Sequence, residues 1–115
     1  MREESLRWYD ELYLGENIDE KTAKKYQKAL TKKIFLKDFY IVAISLTQTD
    51  QLEFFSARQI MQPHLPKMGY DIVGLANSYD DALILVEQIV ADVYKKTGDA
   101  KLKDYFTSHM KERIE

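Results

Sequence analysis

The stretch Phe39-Tyr40-Ile41-Val42-Ala43-Ile44-Ser45-Leu46 is apolar on both of its alternating sets of positions. A strand that is apolar on one set can leave the other in water, but one apolar on both needs cover on two sides. The run therefore predicts a central strand, the spine of a sheet. Tyr70-Asp71-Ile72-Val73-Gly74-Leu75-Ala76, entered through Gly69, predicts a second buried strand. Thr47 to Asp50 supplies turn residues, and Leu52-Glu53-Phe54-Phe55 follows. Apolar positions 52, 54, 55, 57, 60 and 61 do not share one helical stripe. A returning strand to Phe55 accommodates them, followed by a short helix from Ser56 to Gln62 that Pro63 and Pro66 end.

Three further segments carry helical spacing. From about Asp19 to Lys33, Ala23, Tyr26, Leu30 and Ile34 fall on one stripe, with Asn17 or Asp19 able to cap the start. From Tyr79 to Thr97, the apolar positions Ala82, Leu83, Leu85, Val86, Ile89, Val90, Val93 and Tyr94 form a broad arc suited to lying flat on a sheet. Ser78 with Asp81 makes a capping box before that helix, and Gly98 stops it. A last helix from about Asp99 to Glu112 offers Leu102, Tyr105, Phe106 and Met110 for burial, which predicts peripheral packing. Residues 6 to 14 fit a strand (Leu6, Trp8, Leu12, Leu14, with Asp10 out of place) or a helix (Leu6, Tyr9, Tyr13), and both stay open.

These elements assemble into an α+β fold over a single domain spanning residues 1 to 115. The expectation is a two-layer sandwich with a small mixed sheet, from the hairpin at 39 to 55 plus the strand at 70 to 76, covered by the 79 to 97 helix with the 19 to 33 helix alongside. If residues 50 to 62 form one helix, the alternative is an open α/β arrangement with parallel strands.

The absence of cysteine removes disulfides, thiolate nucleophiles and cysteine-held metal sites. The start Met1-Arg2-Glu3-Glu4-Ser5 is acidic with no apolar stretch behind it, so neither a secretory signal nor a transit peptide is expected. No apolar run approaches the roughly 20 residues of a membrane-crossing helix. A cytoplasmic location follows as the expectation, with no membrane partner.

Three stretches carry a resemblance: Trp8-Tyr9-Asp10 with Leu12-Tyr13 and Gly15-Glu16; Ile72-Val73-Gly74-Leu75-Ala76 with Ala82-Leu83 and Leu85-Val86; and Val93-Tyr94 with Thr97-Gly98. Together they resemble a family of small uncharacterised cytoplasmic proteins from Gram-positive bacteria with no assigned activity. The resemblance implies a bacterial cytoplasmic protein. It implies no catalytic or binding residue.

Candidate chemistry is sparse. Phosphate loops need clustered glycines before a helix, and the four glycines stand apart at 15, 69, 74 and 98. Asp80 and Asp81 put negative charge where an anion would sit at the long helix, and read as first-turn acids. The two histidines, His64 and His109, lie in different elements, without metal-ligand spacing or a nucleophile motif at Ser45, Ser56 or Ser78. Neither a metal nor a cofactor is expected. Asp10, set among Trp8, Tyr9, Leu12 and Tyr13, is the carboxylate best placed for partial burial, so Tyr9, Asp10, Tyr13 and His64 form a candidate polar pocket.

Charge is distributed unevenly. Residues 21 to 37 hold seven lysines and no acid, leaving −9 on the rest of the chain. Lys21, Lys24, Lys25, Lys28 and Lys32 gather on the outer face of the first helix and are a candidate contact for nucleic acid or another polyanion. Lysine is a point charge without bidentate geometry and the face carries no arginine, so a solvated face is the plainer reading. Phe54 and Phe55 point to opposite sides of the second strand, and Ile84 projects from the polar side of the long helix. These three are candidate interface residues for a homodimer or a protein partner. A non-enzymatic binding or interaction module therefore leads, followed by a polyanion binder and then a small enzyme near the N-terminal aromatic segment.

Overall fold

The computed structural model describes residues 6–32, 37–44, 51–60, 70–99, 101–107 and 110–111. In chain order they form β1 (Leu6–Leu14), α1 (Glu20–Lys32), β2 (Tyr40–Ile44), β3 (Leu52–Ser56), α2 (Ala57–Ile60), β4 (Tyr70–Ala76), α3 (Tyr79–Thr97), α4 (Leu102–Thr107) and β5 (Met110–Lys111). The strands make one five-stranded sheet in the order β3-β2-β4-β1-β5. It is mixed: β1 runs parallel to β4, while β2–β3, β2–β4 and β1–β5 are antiparallel. The α+β sandwich with a small mixed sheet expected from the sequence is what forms, with helices on both faces of the sheet where α1 was expected alongside α3.

β2 is the spine that its composition demands, buried from Ile41 to Ile44. Ile41 faces a cluster with Ile72, Leu75, Phe39 and the α1 residues Ala23, Tyr26 and Leu30. Val42 and Ile44 face the opposite cluster, with Val73, Leu85, Ile89 and Val93 under α3 and Leu102 and Phe106 from α4. Thus α1 closes one face and α3 with α4 the other. The open parallel alternative does not arise, because β3 returns antiparallel to β2 and places Phe54 on the α3 face and Phe55 on the α1 face.

The segment at 6 to 14, which fits either periodicity, is a strand. It joins the sheet irregularly. From the Trp8–Ile72 pair to the Tyr13–Gly74 pair, β1 advances five residues and β4 two. On its other side β4 spends two residues, Ile72 to Gly74, against one step of β2 from Ala43 to Val42. The β4 irregularity is a bulge at Val73 and Gly74, and it puts Ile72 and Leu75, three apart, on the same α1 face. Gly74 lies under α3, where a Cβ would stand 3.0 Å from Leu85 Cδ2 and 3.2 Å from the Tyr13 carbonyl oxygen.

The helix signals at 78 and 98 hold. Asp81 N–H donates to Ser78 Oγ at 3.2 Å, and Gly98 takes the left-handed φ of 81° with its N–H on the Tyr94 carbonyl. Ser78→Ala is expected to lower stability by about 1 kcal/mol, read as a shift of the urea midpoint. α1 starts from Asp19, whose Oδ1 accepts from Thr22 N–H at 2.8 Å. Two expectations need correction. The C-terminal helix ends at Thr107, and Met110–Lys111 pairs with β1 instead of extending it. It is also central, since Phe106 is completely buried between β1 and α3. The arc of α3 is narrower than its spacing implies: Leu83 and Tyr94 are exposed.

Candidate functional site

Of the residues expected to form a polar pocket, Tyr9 and Tyr13 come together, and Tyr9 and Asp10 border one cleft. Tyr9 and Tyr13 stack with ring centroids 5.8 Å apart on the α3 side. Phe106 meets Tyr9 edge-on at 4.8 Å, and Tyr105 and Phe106 continue the cluster. Asp10 is exposed at the β1 irregularity, where it lines an open cleft toward α1. His64 lies outside the described residues, as do His109 and Ser45.

What joins the tyrosines is a group that sequence spacing does not reveal. Tyr13 Oη donates to Asp92 Oδ2, and Lys96 Nζ sits 3.2 Å from the same oxygen. Burial, followed by the hydrogen bond to Asp92, pushes the Tyr13 phenol well above its ordinary pKa. Burial does the same to Tyr9, reinforced by Tyr105. The hydrogen bond from Tyr13, and then Lys96, lowers Asp92, and the bond to Asp92 raises Lys96. Each group is driven deeper into the state it already holds at neutral pH. General acid–base chemistry needs the reverse, a carboxyl raised or a phenol or amine lowered toward neutrality. The arrangement is a neutral phenol clasped to an ion pair, tying β1 to α3.

A pH dependence follows. A carboxyl whose folded pKa lies below its unfolded value of about 4 adds stability above that value and loses it as pH falls through the folded one. Asp92→Asn should therefore be less stable than the parent chain at pH 7. The two urea midpoints should converge below about pH 4.

The cleft between β1 and α1, about 530 Å3, is lined by Trp8, Asp10, Leu12, Glu20, Lys24 and Gln27 among others. It brings Asp10, Glu11 and Glu20 near Lys24, with Tyr9 also in its wall. Among the described residues no three His, Asp or Glu side chains converge on a point that would hold a metal ion. No helix among them is long and apolar enough to cross a membrane.

No family model, curated protein or solved structure matches this chain. The reading of its surface rests on the residues alone.

Lys21, Lys24, Lys25, Lys28 and Lys32 are all exposed along the outer side of α1. Lys25 and Lys37 border a shallow hollow of about 380 Å3 with Thr22 and Tyr26. Lys33 lies outside the described residues. On the other side of the molecule the distribution is apolar. Among the described residues, the exposed large hydrophobic side chains are Tyr79, Leu83, Ile84 and Tyr94, and all four belong to α3. Tyr79 does not stand alone. Its ring meets Phe54 edge-on at 5.1 Å and Tyr40 at 6.2 Å, so an aromatic surface runs from α3 across β2 onto β3. Phe54 and Phe55 are each half-buried, and Ile84 is 50% exposed on the far side of α3. Sequence reasoning found Phe54 and Ile84 but passed over Tyr79 and assigned Leu83 to the arc facing the sheet.

Two pairs missing from the sequence reading secure this frame. Arg7 forks onto Asp71 with both bonds at 2.8 Å, joining β1 to β4. Asn77 accepts from Tyr26 Oη at 2.7 Å and donates to the Asn17 carbonyl at 3.0 Å, holding α1 against the end of β4.

Proposed function

We propose that this chain is a non-enzymatic protein-interaction module that works through the flank of α3 beside the β2–β3 hairpin. The observation that carries the reading is the concentration of exposed apolar side chains on one helix. Four scattered residues would be unremarkable on a surface of this size. Tyr79 and Leu83, one turn apart on α3 and continued by Tyr40 and Phe54, form the kind of patch that marks a partner site. The titration directions around Tyr13 and Asp92 support a structural role for that cluster, because they oppose proton transfer there at neutral pH. A bacterial, cytoplasmic setting has the resemblance noted above as its support.

The test is a photo-crosslinking amino acid at Leu83, in the full chain expressed in cells, with the same group at Lys28 as the control face. Adducts to a protein from position 83 and none from position 28 are the expected result. Absence of adducts from position 83 would overturn the proposal.

A second reading has its own observation. Lys25 and Lys37 bordering one hollow, with no carboxylate among its described lining residues, favour an anion such as a phosphate on a nucleic acid. Titration with single- and double-stranded nucleic acid at low and moderate salt tests it: salt-sensitive binding supports the reading, and no binding at low salt removes it.

A further inference from the structure

We infer that the partner on this face is a second copy of the chain, joined by antiparallel pairing of β3 with β3 about a twofold axis at Phe54. The inference rests on the interaction reading above and deepens it. Its starting point is the direction of the backbone in β3. Ala57 N–H donates to the Phe39 carbonyl at 2.8 Å, and the register pairs Ile41 with Phe55 and Ala43 with Glu53. In an antiparallel ladder the bonded pairs alternate, so Phe55 and Glu53 turn their N–H and C=O groups toward β2, and Leu52, Phe54 and Ser56 turn theirs outward. Ser56 N–H is taken by Gln59 Oε1 at 3.0 Å. Among the described residues β3 pairs with β2 alone, which makes it an edge, and no acceptor is recorded for the outward N–H groups of Leu52 and Phe54.

A residue with both main-chain groups directed outward is the one that can exchange two hydrogen bonds with itself across a dyad. Phe54 fits that position. Pairing Phe54 with Phe54 of the second copy sets Glu53 across from Phe55 and Leu52 across from Ser56, so no like charges face each other. It also places both Phe54 rings on the α3 side of the joined sheet, where Tyr40 and Tyr79 of each copy already surround them. The exposed aromatic surface and the unpaired edge are thus covered by one event.

Area sets the strength. With about 150–250 Å2 for a wholly buried aromatic side chain, the uncovered parts of Tyr79, Leu83, Tyr40, Phe54 and Leu52 offer on the order of 400 Å2 per copy before main-chain area is added. A standard interface takes about 800 Å2 per partner, so this dimer is a weak, concentration-dependent one.

Sedimentation equilibrium of the full chain from micromolar to near-millimolar concentration should show a monomer–dimer equilibrium. Tyr79→Lys combined with Leu83→Lys, both at exposed positions, should weaken it at least tenfold while the far-ultraviolet circular dichroism stays that of the folded chain. Leu52→Pro, which removes one outward N–H at the first residue of an edge strand, should weaken it as well. A parent chain that stays monomeric throughout, or a dimer indifferent to both variants, overturns the inference. Position-83 adducts to a different protein, with a monomeric parent chain, would sink the self-pairing and leave the interaction reading standing.

Discussion

Gly74→Val is expected to cost about 3 kcal/mol, enough to remove a large share of the stability of an ordinary domain. The cause is the bulge in β4. It brings Gly74 under α3 so closely that the first carbon of any side chain would stand 3.0 Å from Leu85 Cδ2 and 3.2 Å from the Tyr13 carbonyl oxygen. Leu85 is a flexible tip and can yield by a few tenths of an ångström, but the Tyr13 carbonyl is main chain. Alanine should therefore be costly and valine much more so, with branches directed toward Leu85, Ile89 or β1. Urea titrations of Gly74→Ala and Gly74→Val check the order. Two variants as stable as the parent would show that α3 does not pack as described.

Phe106→Ala should cost about 4 kcal/mol. Phe106 is completely buried, meets Tyr9 at 4.8 Å and Tyr105 at 5.1 Å, and shares with Leu102 the anchoring of α4. Its loss opens a cavity between β1 and α3 and frees a six-residue helix that has little else to hold it. The urea midpoint should fall, and the near-ultraviolet circular dichroism of the stacked tyrosines should fall with it. A change in the spectrum without a change in midpoint would separate local detachment of α4 from global destabilisation.

The parts of the fold legible in the sequence are those determined by neighbours along the chain. Ser78 and Gly98 act through bonds to residues within four positions, so the limits of α3 could be read directly. β2 was recognisable because both alternating sets of its positions are apolar, and the hairpin because positions 52, 54, 55, 57, 60 and 61 share no helical stripe. The parts that escaped depend on partners far away. β1 is a strand because β4 and β5 flank it, overriding an ambiguous local pattern. Residues 110–111 read as helix until a strand edge is available to pair with them. At the candidate site, Phe54 and Ile84 were visible as apolar residues in polar settings. Leu83 was not, because spacing tells which residues share a helix face but not how wide a stripe the sheet covers. The Tyr13–Asp92 clasp joins residues 79 apart and left no trace in local spacing.

The position of β1 has a consequence for how the chain acquires its structure. The hairpin of β2 and β3 closes over a short span and can form early, whereas the Arg7–Asp71 fork bridges 64 positions and the pairing with Met110 waits for the far end of the sequence. Loop closure of that length delays contact formation, so β1 should be the last strand to dock. On the ribosome, its tyrosines and Trp8 would remain uncovered until residues 106 to 111 have emerged, and nascent chains would be most vulnerable to aggregation in that interval.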